Sequence, residues 1–114
     1  MPVYIPGRGD FVTVSFDPQS GHEQKGRRPA LIISNYLFNK HTGLTIACPI
    51  ITTKRNFPFH IKVPDGICLS GYIMVEHIKS INYRSRNVKF LEKAPKEVIN
   101  EALAILDACI YQEA

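Results

Sequence analysis

Short apolar runs, each cut off by proline, glycine, asparagine or aspartate, confine most of this chain to sheet. The first, Phe11-Val12-Thr13-Val14-Ser15-Phe16, alternates: Phe11 and Thr13 fall on one face, Val12, Val14 and Phe16 on the other. Asp17-Pro18 ends it, because proline cannot donate to a ladder. Similar runs follow at Ala30–Ser34, Leu44–Ile51, Pro58–Val63, Gly71–Glu76 and Asn87–Leu91. Short strands with frequent turns predict a mainly β protein, a small antiparallel barrel or sandwich. Asn35–Asn39 has room for no more than a helical turn.

Helical period takes over only at the end. Pro95 suits a first helical turn; Val98, Ala102, Ile105 and Cys109 then form one apolar stripe, and Ile99, Leu103, Leu106 and Ile110 the next. That predicts a wide buried face three to four turns long, packed on the sheet or shared with a second copy. The 114 residues fit one domain, residues 1–114. No apolar run approaches the ~18 residues of a membrane span, and Met1-Pro2-Val3-Tyr4 lacks a signal peptide's basic and apolar regions. Secreted and membrane-embedded readings are therefore set aside. Cys48, Cys68 and Cys109 are odd in number and widely spaced, without a CxxC. Cys48 and Cys109 lie in apolar patterns where a reduced core thiol is the default, which fits a cytoplasmic protein. The histidines form no HxxxH or HxH pair, so neither a metal nor another cofactor is expected.

Charge is unevenly spread. Residues 1–94 carry 13 Lys/Arg against 6 Asp/Glu, while residues 95–114 set Lys96 against Glu97, Glu101, Asp107 and Glu113. A basic body suits a polyanion, since lysine and arginine neutralise phosphates; ordinary solubility charge is the alternative. The polar stretch Asp17–Pro29 is long for a connection between strands and holds His22, Glu23, Lys25, Arg27 and Arg28. It is either a solvated loop or a site where an imidazole, a carboxylate and fixed cations handle protons and phosphoryl charge. Thr52, Thr53, Lys54 and Arg55 form a second polar group able to hold phosphates, or a turn. Glu76 and His77, read as strand, point to opposite faces, so at most one joins a given site. Lys79, Arg84, Arg86 and Lys89, interleaved with Tyr83 and Phe90, suit single-stranded nucleic acid, unless the rings are core.

Taken in order, Gly9-Asp10, Phe16-Asp17-Pro18, Gly21-His22-Glu23-Gln24, Gly26-Arg27-Arg28-Pro29-Ala30, Cys48-Pro49-Ile50, Asn56-Phe57-Pro58-Phe59 and Lys79-Ser80-Ile81 resemble the MazF/PemK family of endoribonuclease toxins. The resemblance spans nearly the whole chain. It implies an SH3-like β-barrel with a C-terminal α-helix packed on it, a homodimer, and metal-independent cleavage of single-stranded RNA. It also implies a cognate antitoxin of MazE type, an acidic and partly disordered chain. The family's arginine before proline falls on Arg28, the loop histidine and glutamate on His22 and Glu23, and the late acidic residue on Glu76. Where many relatives read Pro-Ile-Thr, this chain reads Pro49-Ile50-Ile51-Thr52, which puts Ile51 at the catalytic threonine. Either Thr52 supplies the hydroxyl through a one-residue shift, such as a bulge, or that donor is absent.

Without a metal, the simplest RNA cleavage uses the substrate's own 2′-OH, which attacks the adjacent phosphorus and expels the 5′-oxygen, leaving a 2′,3′-cyclic phosphate. Arg28 is assigned to phosphoryl charge, because guanidinium is a rigid donor fork that stays protonated. Glu23 is the preferred base and His22 the runner-up, or the acid. Thr52 orients the phosphate. Lys25, Arg27, Thr53, Lys54, Arg55, Glu76, His77, Lys79, Arg84 and Arg86 are assigned to RNA. Two alternatives stand beside this: a toxin similar to the CcdB type, which binds DNA gyrase, and an inactive RNA-binding barrel.

Overall fold

A computed structural model describes residues 3–15, 27–54 and 57–112. The strands are β1 (Asp10–Ser15), β2 (Arg27–Ile32), β3 (Leu44–Ile51), β4 (His60–Lys62), β5 (Tyr72–Met74), β6 (Lys79–Asn82) and β7 (Lys89–Lys93). Two α-helices, α1 (Tyr36–Thr42) and α2 (Lys96–Ile110), and a 3-10 turn at Val75–His77 complete the described elements. All pairings among the described strands are antiparallel, in the order β4-β5-β3-β2-β1-β7, with β6 also on β3.

β3 organises the sheet. One edge takes β2 (Ala30↔Pro49 to Ile32↔Ala47); the other takes β6 along its first half and β5 at its end (Ile51↔Tyr72). A strand paired on both edges and covered on both faces must be apolar almost throughout, which is why Leu44–Ile51 reads as a continuous apolar run. The two faces feed two cores. Val12, Val14, Ala30, Ile32, Ala47, Ile81, Tyr83 and Val88 fill the inside of the small barrel. Phe11, Leu31, Cys48 and Ile50 point the other way, onto Ile61, Ile73 and Val75 of the β4–β5 region and Val98, Ile99 and Ala102 of α2. The alternation expected for Phe11, Val12 and Val14 is thus seen in space; Phe16 lies outside the described residues. The expected mainly β barrel with a C-terminal helix packed on it is the fold observed.

Several local expectations need correction. Residues after Asn35 make a seven-residue helix rather than a single turn. The Asn35 side chain accepts from the Phe38 N–H at 2.8 Å, and Gly43 closes the far end in a left-handed conformation, its N–H on the Asn39 carbonyl. Two good caps let so short a helix form. Asn39 is buried and held by Ser34, the Pro6 carbonyl and the Tyr83 hydroxyl. Lys79–Asn82 is a strand that no apolar run announced, since only Ile81 points inward. The strand expected at Gly71–Glu76 stops at Met74 and tightens into the 3-10 turn, and the last strand is displaced to Lys89–Lys93. The face of α2 is also narrower than its stripes suggest. Val98, Ile99 and Ala102 are buried and Ile105 and Leu106 partly so, whereas Leu103 is exposed between them and Cys109 and Ile110 lie exposed beyond the last residues that pack on the core. Cys109 is therefore no core thiol, whereas Cys48 is buried and free.

Candidate RNA-binding groove

Strand geometry brings four of the expected residues to one groove of about 430 Å³. Arg28 enters from the start of β2, Lys79 from β6, Arg86 from the β6–β7 turn and His77 from the 3-10 turn. Pro49, Ile50, Ile51, Met74 and Ile81 supply its apolar lining. Arg28 is exposed and lines this space from the rim of the barrel, on the same face of β2 as buried Ala30, while Arg27 on the other face is tied down. The Arg27 Nη2 donates to the Asn87 carbonyl at 2.9 Å and to the carbonyl and hydroxyl of Thr13. That carbonyl belongs to a turn in which Asn87 adopts a positive φ of 50°, a conformation asparagine tolerates better than most residues. One of the paired arginines thus fastens the frame while the next faces the groove.

Glu76 and His77 sit on a 3-10 turn rather than a strand and stay in contact, with 3.8 Å between the Glu76 Oε2 and the His77 Nε2. His77 lines the groove, and the same Glu76 oxygen, behind it, pairs more closely with His60, with 2.7 Å between Oε2 and the ring Nε2. His60 is nearly buried and stacked edge-on against Phe57. Residue types alone gave His60 no role, yet it makes the shorter of the two histidine contacts that hold Glu76.

Thr52 is not in the groove. β3 keeps regular register with β5 through Ile50↔Ile73 and Ile51↔Tyr72, so the pairing shows no bulge that would bring Thr52 to the position of Ile51. Ile51 lines the groove, and Thr52, just beyond the strand, lines an adjoining pocket. Thr53, Lys54 and Arg84 are exposed. Tyr83 is core, and Phe90 packs edge-on against Tyr4, so neither ring faces the groove. His22, Glu23, Lys25 and Arg55 lie outside the described residues. Among the described residues, no three His, Cys, Asp or Glu side chains gather where they could hold a metal ion, and no helix is long and apolar enough to cross a membrane. A groove with an apolar lining and three guanidinium or ammonium groups can hold a polyanion that also carries flat apolar surfaces.

Comparison with known proteins decides the lineage. Residues 7–110 match the family described as the PemK-like, MazF-like toxin of type II toxin–antitoxin systems. The chain belongs to this family. Among curated relatives it is 36% identical over 96 residues to the endoribonuclease toxin MazF of Escherichia coli K12, covering 83% of this chain and 86% of that one. It is 38% identical over 112 residues to the endoribonuclease toxin ChpB of the same organism, covering 90% and 92%. Among solved structures, a MazE–MazF crystal structure from Deinococcus radiodurans superposes with a TM-score of 0.87 at 34% identity, covering 96% of this chain and all of that one.

Proposed function

We propose that this chain is the endoribonuclease toxin of a type II toxin–antitoxin pair, cutting single-stranded RNA in the cytoplasm without a resident metal. The observation that carries this reading is the convergence of Arg28, Lys79, Arg86 and His77 on one groove, in a chain whose relatives are named endoribonucleases. Single-stranded RNA fits because in-line attack needs a flexible backbone, and base edges are readable only when unstacked. The 2′-OH attacks the adjacent phosphorus, the 5′-oxygen leaves, and a 2′,3′-cyclic phosphate remains. Arg28 binds the non-bridging oxygens as their charge grows, Lys79 and Arg86 hold flanking phosphates, and His77 meets a base or a phosphate at the rim. Glu23 takes the 2′-OH proton and His22 protonates the leaving oxygen. Thr52, which lines the adjoining pocket, orients the phosphate through its hydroxyl.

The curated relatives' names favour cleavage over the gyrase-directed alternative. A MazE-type acidic antitoxin is the proposed partner, by analogy with the complex solved from Deinococcus radiodurans, and a homodimer the proposed assembly. Arg28→Ala should fold normally, since the side chain is exposed, and should lose RNA cleavage by about two orders of magnitude, the cost of one preorganised donor. Gel analysis of a defined transcript in EDTA reads this out. Wild-type cleavage by a folded Arg28→Ala would overturn the assignment.

A further inference from the structure

The groove does not end at Ile51. Ile51 stands directly opposite Tyr72 on β5, and Tyr72 directly opposite Lys62 on β4, so the three side chains share one face of the sheet. Ile51 lines the Arg28 groove, while Tyr72 and Lys62 line the adjoining pocket of about 340 Å³. Adjacent strands lie ~4.8 Å apart, so this row carries the surface from Ile51 to Lys62 in about 10 Å.

We propose that this pocket is a second nucleotide subsite, which takes a base flanking the cleaved bond. The inference rests on the RNA-cleaving reading above. Tyr72 offers a half-buried ring, fixed by pairing on both edges of β5, as a stacking platform. Lys62, exposed at the edge strand, meets the phosphate that follows. Asp65, which also lines the pocket, repels a phosphate but accepts from the amino or imino hydrogens of a base. Base over Tyr72 and phosphate on Lys62 is the orientation this charge pattern selects. The pocket keeps its shape because the loop returns tightly onto β3. Gly71 has a φ of +138°, and a Cβ there would sit 2.4 Å from the Ile51 carbonyl oxygen. The Val63 N–H on the Gly71 carbonyl closes the loop base at 2.9 Å.

The test measures binding of a fluorescent oligonucleotide whose 2′-deoxy substitution blocks cleavage, and cut-site sequencing of a transcript with randomised flanks. Lys62→Glu and Tyr72→Ala should each weaken binding about tenfold and lose preference at one flanking position, leaving preferences elsewhere intact. Tyr72→Phe, which keeps the ring, should restore both. Thermal melts confirm folding, and the exposed Lys62 carries the test if Tyr72→Ala fails to fold. Unchanged binding and unchanged preferences in Lys62→Glu, with wild-type cleavage intact, would overturn the subsite and leave the nuclease standing. A wild-type protein that neither binds nor cuts RNA would overturn both.

Discussion

Cys48 shows how one residue's chemistry is set by its neighbours. It has no exposed surface, and burial first, with the Glu76 carboxylate second, pushes its thiol up to about 12. Cys68 is exposed, its thiol raised mainly by a hydrogen bond with Glu92, and Cys109 is exposed on α2. Since the thiolate is the reactive form, an aromatic disulfide reagent at pH 8 should titrate two thiols in the native protein and a third only in urea. Three fast native equivalents would refute the buried state. The sign of the pH dependence follows from the raised value. The unfolded thiol ionises from about 9 and the folded one not until about 12, so the unfolded state binds fewer protons in between. The stabilisation is complete below pH 9 and is lost as pH rises toward 12, and the wild-type urea midpoint should fall more steeply there than that of Cys48→Ala. The buried thiol was legible in its apolar run. Cys109 was not, because helical periodicity marks a face without saying how far a partner surface extends.

Two glycines separate strain from open space at the scale of a hairpin. Gly66 and Gly71 both have positive φ, yet nothing lies within 4 Å of a Cβ at Gly66, whereas one at Gly71 collides with the backbone of Ile51. Gly66→Ala should therefore cost about 1 kcal/mol, the penalty of a left-handed conformation. Gly71→Ala should cost about 3 kcal/mol or more, since β5 must move off β3. Urea denaturation compares them, and equal losses would refute the packing argument. The bounds of β3 could be read directly, because burial on both faces leaves a plain apolar run. β6 could not: Lys79, Ser80 and Asn82 are exposed, and one inward Ile81 makes no pattern. α1 escaped because its stability lies in its caps rather than in an apolar stripe. Arg28 was recognisable from its motif, but the groove joins β2, β3, β5, β6 and two turns, and only the pairing of distant segments creates it.

Over the whole molecule, the described residues leave apolar surface along the outer side and C-terminal end of α2. Leu103, Ile110 and Tyr111 are exposed, with Ile110 at 69% and Tyr111 at 76%. Val98, Ile99 and Ala102 already satisfy the helix's own packing, so these outer side chains are not needed to hold the protomer together. Water-facing apolar groups of that size on one helix end are most readily covered by a second copy, because a two-fold axis brings the same patch against itself and doubles what each side chain buries. Light scattering should therefore give about twice the 12.9 kDa chain mass at micromolar concentration. Ile110→Glu places like charges across the axis without touching either core, so it should shift the protein toward monomer while its circular dichroism stays native. A dimer that withstands Ile110→Glu would place the contact elsewhere on the surface, with exposed Tyr36, Leu37 and Phe38 around α1 the next face to vary.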